Sequence, residues 1–341
     1  MPREISPGDF RKPETMSGEF PARDAKVTGP DLETIRAAHR RIAPHIHRTL
    51  VVTSASLDAL AGARLHFKCE NLQKTGSFKM RGASNAIFSL APEEAARGVV
   101  THSSGNHAAA VALAASRRGI RAWIVMPSNA PAVKRRAVEA YGGQVTFCEP
   151  TLPAREAAAA EIIRRTGAVL IHPFDDDRII AGQATAAVEF LEQVPDLDFL
   201  LAPVSGGGLL SGTAIAAKGL RPAIRVIGCE PKNADDAYRS LSTGRIQTAE
   251  HFDTIADGLR ASLAERTFAI LRQHVDQIVL VSEEEIIAAM RQVWERMKLI
   301  IEASAAVAVA PAVGRKLATE ERKVGIILSG GNVDLGCLPF D

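Results

Sequence analysis

From about residue 31 onward, apolar runs of five or six residues alternate with stretches in which apolar positions recur every three or four residues. A short unbroken apolar run suits a strand buried on both faces, and the longer recurrence suits a helix with one dry stripe. The alternation therefore predicts repeated βα units and a mostly parallel sheet covered by helices. The predicted strands are RLHFK (64–68), GVVTH (98–102), AWIVM (122–126), QVTFC (144–148), AVLIH (168–172), DFLLAPV (198–204), RVIGCE (225–230), DQIVLV (276–281) and KVGIILS (323–329). Helices over AAAVALAASRRG, PAVKRRAVEAYGG and AREAAAAEIIRRTG lie between the earlier strands and close on glycine, a common helix stop. Four compact units between about 98 and 174 read as a smaller α/β lobe set into a larger one. That reading assigns 31–90 and 176–341 to a large domain and 91–175 to a small one.

Composition narrows the class. A chain of 341 residues is long for a single core, which favours two domains. With 46% hydrophobic, 23% charged and 5% aromatic residues it is a globular composition rich in the aliphatic filling of parallel sheets. A net charge of +2, with Lys and Arg spread through the helices, offers no stripe for nucleic acid. Cys69, Cys148, Cys229 and Cys337 are far apart and form no CxxC pair, so free thiols in a reducing cytoplasm are expected. The first thirty residues are rich in Pro, Gly and charge without an apolar centre, and read as a flexible arm, neither a signal peptide nor a membrane span.

The stretch TGSFKMRG (75–82) carries the first chemistry. Ser77 reads as the N-cap of a helix running to about Leu90, which puts Lys79 in its first turn. Steps of four and three from Lys79 reach Ala83, Ala86 and Leu90, so the lysine shares the apolar stripe. Desolvation and the positive end of the helix dipole both oppose its charge, and a neutral buried amine is a nucleophile. The competing reading is a buried stem with a wet head.

Three loops follow strands and open helices or turns: SSGNHAAA (103–110), SGGGLLSG (205–212) and SGGNVD (329–334). At the carboxyl ends of parallel strands they have the place to share one cleft. Gly206, Gly207 and Gly208 bare backbone N–H groups for an anion at a helix start. The same loop nearly matches a dinucleotide fingerprint, failing where Ser211 replaces the third glycine, with Glu230 at a distance suited to a ribose. An NAD-dependent dehydrogenase is therefore the alternative from another class. Ser103, Ser104 and Asn106 offer hydroxyls and an amide for a carboxylate, while His107 alone reads as a packed or capping residue. Ser329 puts a hydroxyl beside two glycines. An amine, a phosphate nest, a carboxylate seat and a hydroxyl fit pyridoxal 5′-phosphate and an amino acid substrate.

The motifs KCENLQKTGSFKMRGA, THSSGNHAAA, IAGQ, EPKNADDAYRS, IADGLRASL, VWERMK and LSGGNVDL resemble, as a set, the fold type II pyridoxal-phosphate enzymes. Within them the match is to the serine racemase, serine/threonine dehydratase and 3-hydroxyaspartate dehydratase group, from about residue 31 onward. The resemblance implies a tryptophan-synthase-β-like α/β fold, with a large domain holding a twisted, mostly parallel sheet and a smaller α/β domain inserted. It makes Lys79 the Schiff-base lysine, with Phe78 beside the ring and Asn106 bonded to the cofactor's phenolic oxygen. Ser205, Gly206, Gly207, Gly208 and Leu209 would hold the phosphate. Ser329 would face the pyridine nitrogen and, being neutral, leave it unprotonated.

The same resemblance seats the substrate carboxylate on Ser103, Asn106 and His107. It places Ser104 across the cofactor plane from Lys79, where a racemase exchanges a proton on the second face. Arg155 is a candidate for a second carboxylate on a 3-hydroxyaspartate-like substrate. Glu230, the Ala234 carbonyl and Asp236 correspond to a divalent-cation site for magnesium, manganese or calcium. A homodimer is implied as well. Ala303 stands where relatives usually carry proline, and HPFDDDR (172–178) is closer to dehydratases, so ATP activation is not expected. With nothing after Asp341, neither is feedback control.

Overall fold

The computed structural model describes residues 29–340 apart from Ser104, Pro131, Glu250 and His251. The expected arm over 1–30 lies outside the described residues except for its last two. The strands are β1 (Val51–Val52), β2 (Arg64–Cys69), β3 (Val99–His102), β4 (Ala122–Pro127), β5 (Gln144–Cys148), β6 (Val169–Leu170), β7 (Phe199–Pro203), β8 (Arg225–Pro231), β9 (Gln277–Val281) and β10 (Lys323–Leu328). They form two sheets, ordered β1-β2-β10-β7-β8-β9 and β5-β4-β3-β6. Every pairing is parallel except β1 with β2.

Eight of the nine predicted strands coincide with β2 to β5 and β7 to β10 to within a residue or so at either end. The run 168–172 shrinks to the two residues of β6, because Pro173 lacks an N–H and the Phe174 and Asp175 N–H groups turn back to His172 Nδ1 at 3.3 and 2.8 Å. Strand β1 has only two residues, too few for any periodicity to announce it.

Each sheet is covered on both faces. One face of the six-stranded sheet buries Phe67, Ile227, Val307 and Leu328, and the other buries Ile35, Phe190, Leu200 and Val226. A third apolar cluster joins Ala83, Ala86 and Ile87 of the Lys79–Phe88 helix to Val111, Ile124 and Met126 around the four-stranded sheet. The helix carrying Lys79 thus packs its apolar stripe toward the smaller sheet, as the spacing of Ala83 and Ala86 predicted.

The start of that helix differs from the expectation. Ser77 is extended (φ −161°, ψ 159°) and bridges to Gly330, while the Phe78 N–H donates to Ser329 O at 3.0 Å. With its backbone drawn into this pairing, Ser77 cannot cap; Phe78 holds the N-cap position and supplies no side-chain bond. The Ser77 hydroxyl is buried without a partner among the described residues. The helix ends at Phe88, and Leu90 lies just beyond it, still buried.

Against the Asp177–Gln193 helix the Lys79–Phe88 helix makes a crossing at glycine on glycine. A Cβ on Gly182 would lie 2.6 Å from Gly82 Cα, and the Gly82 N–H donates to Gln183 Oε1 at 3.1 Å. Asn85 Nδ2 donates to Arg178 O at 2.7 Å on the next turn. Gly182→Ala should therefore cost about 1–3 kcal/mol of overpacking, read as a lower urea midpoint at unchanged slope. A shift equivalent to under about 0.5 kcal/mol, the range of an ordinary surface substitution, would show that the helices have room to separate.

Candidate active site

Strands β3, β7 and β10 end at His102, Pro203 and Leu328, and their carboxyl ends feed the three loops singled out above. Two of the loops are in direct contact. Asn106, the first residue of the Asn106–Arg118 helix, donates from Nδ2 to both oxygens of Glu302 at 3.0 and 3.1 Å. Asn332 Nδ2 donates to Asn106 Oδ1 at 2.9 Å and to Thr75 O at 2.7 Å. This chain of amides ties the carboxylate-seat loop, the SGGN loop and the turn before Lys79 together. Thr75 and Gly76 both have positive φ, 62° and 72°, and a Cβ on Gly76 would come within 2.4 Å of Asn332 Oδ1.

Lys79 points inward from the first helical turn. Its Nζ donates to Pro173 O at 3.0 Å and lies 5.1 Å from the centre of the Phe78 ring. Burial lowers the amine to a pKa of about 8, partly opposed by the Glu302 carboxylate. Around it the imidazoles are neutral: burial takes His172 down to about 4 and His107 well below its usual value, with the Lys79 charge adding to both shifts. His107 Nε2 donates to Ile171 O at 3.2 Å, leaving Nδ1 buried and unpartnered among the described residues. The packed reading of the His107 ring is therefore correct, and at this helix start the backbone N–H is its useful donor.

The glycine loop has reasons of its own to lack side chains. A Cβ on Gly206 would meet the Phe174 ring at 2.4 Å, and one on Gly208 would meet the Phe174 Cβ at 3.0 Å. Gly207 has φ +88° and touches Leu263 and Thr267. The N–H groups of Gly206 to Leu209 have no acceptor among the described residues, the arrangement an anion at a helix start would use. Leu209 can contribute only backbone, since its side chain is in the core. The Ser205 hydroxyl is occupied, donating to Ala261 O and accepting from Ala261 N–H, both at 3.1 Å. Ser329 is buried at the end of β10, and its carbonyl accepts from Phe78.

Arg155, near the start of the Leu152–Thr166 helix, is half-buried, with Nε enclosed and unpartnered among the described residues. Burial first and the Arg155 charge second depress the pKa of His102, whose ring meets His172 edge-on at 5.6 Å. Ser103 is half-buried at the head of its loop, and Ser104 lies outside the described residues. Glu302, 6% exposed and pushed up to about 7 by burial, escaped the sequence reading as a site residue. Its signal was present: it is the lone charge in the apolar run LIIEASAAVAVA.

Glu230 is the penultimate residue of β8, and Asp236 opens the Asp236–Thr243 helix just after it. Glu230 accepts from the Ala237 and Tyr238 N–H groups at 2.9 and 2.8 Å, so it is turned into its own backbone and not toward a ribose. Burial first and Asp236 second push Glu230 well above the carboxylate range, and burial takes Asp236 to about 6. Asp236 Oδ2 is buried without a partner among the described residues. Among those residues no cluster of three His, Cys, Asp or Glu side chains exists; the expected cation set has only two, completed by the Ala234 carbonyl.

The family described as "Pyridoxal-phosphate dependent enzyme" matches residues 42–330. The chain belongs to the pyridoxal-phosphate dependent enzymes. It is 51% identical over 311 residues to a serine racemase of Dictyostelium discoideum, spanning 90% of this chain and 96% of that one. It is 46% identical over 312 residues to a β-hydroxyaspartate dehydratase of Paracoccus denitrificans, spanning 92% and 99%. The solved structure of maize serine racemase superposes with a TM-score of 0.89 at 49% identity, covering 91% of this chain and 95% of that one. The fold is that of the type II pyridoxal-phosphate enzymes, and the dehydrogenase alternative is set aside with its ribose partner.

For a pyridoxal-phosphate dependent enzyme the site residues fit the group: an enclosed amine of lowered pKa, unpaired N–H groups at a helix start and a neutral hydroxyl at a strand end. Because the free amine is the reacting form, the rate at which cofactor-free protein takes up pyridoxal 5′-phosphate, followed by visible absorbance, should rise with pH through a midpoint near 8. A midpoint above about 10, the value of an ordinary lysine, would contradict the enclosed amine.

Proposed function

We propose that this chain is a pyridoxal-phosphate-dependent serine racemase and L-serine or threonine ammonia-lyase, acting on β-hydroxy amino acids by α-proton abstraction and loss of water. The observation that carries the reading is the inward Lys79 amine, bonded to Pro173 O beside the Phe78 ring and lowered by burial to about 8. Relatives named as serine racemases at about half identity support it. In this reading Gly206 to Leu209 hold the phosphate through N–H groups, Asn106 meets the phenolic oxygen and Ser329 the pyridine nitrogen. The bound cofactor supplies an electron sink that acidifies the substrate α-proton.

The chain's own residues then do the rest. Lys79 takes the α-proton on one face, while Ser103, the Asn106 amide and the His107 N–H hold the carboxylate so that this bond faces the amine. Loss of the β-hydroxyl as water leads to pyruvate and ammonia from serine. The family resemblance assigns to Ser104 the return of a proton on the second face, which inverts the centre. The neutral Ser329 leaves the ring nitrogen unprotonated, which favours prompt departure of the hydroxyl. The reading includes a homodimer, from the family resemblance, a reducing cytoplasm, from the scattered cysteines, and a small domain over 91–175, from the strand pattern. No helix among the described residues is long and apolar enough to cross a membrane.

A second reading, a threo-3-hydroxyaspartate ammonia-lyase, is favoured by the enclosed, unpartnered Nε of Arg155 beside His102, suited to a second carboxylate, and by the Paracoccus relative. A chiral product assay on serine, threonine and 3-hydroxyaspartate separates the two. Ser104→Ala should keep dehydration of L-serine and lower racemisation at least about a hundredfold, the scale of one lost acid–base group. Equal loss of both activities would sink the two-face assignment. Arg155→Ala should raise the KM for 3-hydroxyaspartate more than that for serine if the second reading holds.

The cation reading rests on Glu230 and Asp236 as buried carboxylates that repel one another, with Asp236 Oδ2 unpartnered. Hard oxygen ligands of this kind suit Mg²⁺, Mn²⁺ or Ca²⁺. Chelation with EDTA should lower the melting temperature, and excess Mg²⁺ should restore it, in wild type but not in Asp236→Asn. A melting temperature indifferent to both would remove the metal from the account.

A further inference from the structure

Beneath the Lys79 helix lies a buried ionic cluster that no step above uses. Arg81 has no exposed side-chain surface, and its guanidinium grips two carboxylates at once. Nε and Nη2 donate to Glu70 Oε2 and Oε1, each at 2.7 Å; Nη1 and Nη2 donate to Glu189 Oε1 and Oε2 at 2.9 and 2.8 Å. The remaining N–H donates from Nη1 to Thr185 Oγ1 at 3.1 Å. Lys68 Nζ closes the cluster on Glu189 Oε2 at 2.8 Å, with Thr49 O and Gln193 Oε1 at 2.9 and 2.8 Å. Two cations face two carboxylates, and His39 Nε2 lies 3.5 Å from Glu189 Oε1 at the edge of the cluster. Buried ion pairs of this kind are often no better for stability than apolar packing, and what they supply is a single geometry.

The geometry in question is the azimuth of the Lys79 helix. Residues two apart on a helix lie about 200° around its axis, so fixing Arg81 against Glu70 and Glu189 turns Lys79 to the opposite side, toward Pro173. The first turn has no side-chain cap to orient it. Upstream, backbone bonds hold it: the Ser77–Gly330 bridge, the Phe78 N–H to Ser329 O and the Gly331 N–H to Gly76 O, with Asn332 Nδ2 on Thr75 O. Downstream the glycine crossing at Gly82 and Gly182 sets a distance, and the Gly82–Gln183 and Asn85–Arg178 bonds tether the turns that follow. The double fork acts closer to the amine, two residues from Lys79, and from a side chain gripped in one plane. We infer that Arg81 is a positioning residue for Lys79, its planar two-carboxylate grip setting the rotation of the helix that delivers the amine to the cofactor site.

The inference rests on the pyridoxal-phosphate reading of Lys79. It separates from plain stability because a lysine rotated out of its enclosure becomes wetter, whereas a destabilised but correctly aimed lysine does not. The titratable groups facing Lys79 are Glu302, His107 and His172, and none belongs to the Arg81 cluster. The experiment compares Arg81→Lys, Thr185→Val and Leu57→Ala. The first keeps the charge but loses the fork, and the second removes the Thr185 hydroxyl, with its bonds to Arg81 and to Gly182 O, and leaves every charge paired. The third is a core truncation on the far face of the six-stranded sheet, chosen to lower the melting temperature independently.

Arg81→Lys should raise the pH midpoint of pyridoxal 5′-phosphate uptake by about one unit toward the ordinary lysine value. It should lower kcat at least about tenfold while leaving KM for L-serine within about twofold, the pattern of misplacement. Thr185→Val should move both in the same direction by about threefold or less, the scale of one hydrogen bond, and carries the test wherever the Arg81 variant does not accumulate as soluble protein. Leu57→Ala should melt lower with its midpoint unchanged. If the cluster variants keep the wild-type midpoint and kcat, or match Leu57→Ala at equal melting temperature, the inference is overturned. Failure of wild-type protein to take up the vitamer at all would count instead against the reading of the site.

Discussion

A lysine amine held away from water at the first turn of a helix is the constraint on which this molecule turns. A charged amine is stable in such a place only with a compensating partner, and the one carboxylate that bears on Lys79, Glu302, is itself pushed up to about 7 by burial. Both groups are therefore poised near neutrality. The surrounding histidines are neutral chiefly because burial disfavours their charged form, and the Lys79 charge adds to that. Keeping the amine there demands a helix that cannot roll or slide. The glycine crossing with the Asp177–Gln193 helix, the Ser77–Gly330 bridge and the paired forks of Arg81 supply that rigidity from three sides.

The two sheets contribute differently to the cleft. The six-stranded sheet brings the glycine loop and the Ser329 strand end, and the four-stranded sheet brings Asn106, His107 and, from a covering helix, Arg155. The Asn106–Glu302 and Asn106–Asn332 bonds join the two sides. Glycine serves more than one purpose here. Gly206 and Gly208 admit the Phe174 ring, and Gly207 takes a left-handed turn, while the same bareness leaves N–H groups available at a helix start.

Much of this was legible in the chain. Strands buried on both faces are continuous apolar runs, which is why β2, β4, β8 and β10 were found by pattern alone, and the Lys79–Ala83–Ala86 stripe gave the lysine's direction correctly. The failures were tertiary. Ser77 has the right side chain for a cap, but its backbone is claimed by Gly330 from the far end of the sequence, a contact that local propensity does not contain. Glu302 was visible only as an isolated charge among aliphatic residues, and its meaning depends on Asn106, remote in sequence. The glycine loop was ambiguous between dinucleotide and simple phosphate until Glu230 was found bonded to its own backbone. The motif set carried the family where individual motifs did not.

The most direct test is chemical trapping of the amine. Protein incubated with pyridoxal 5′-phosphate, reduced with borohydride and digested should yield one labelled peptide, the one containing Lys79, with its visible absorbance lost on reduction. Label on another lysine, or none after full incubation, would contradict the account at its root.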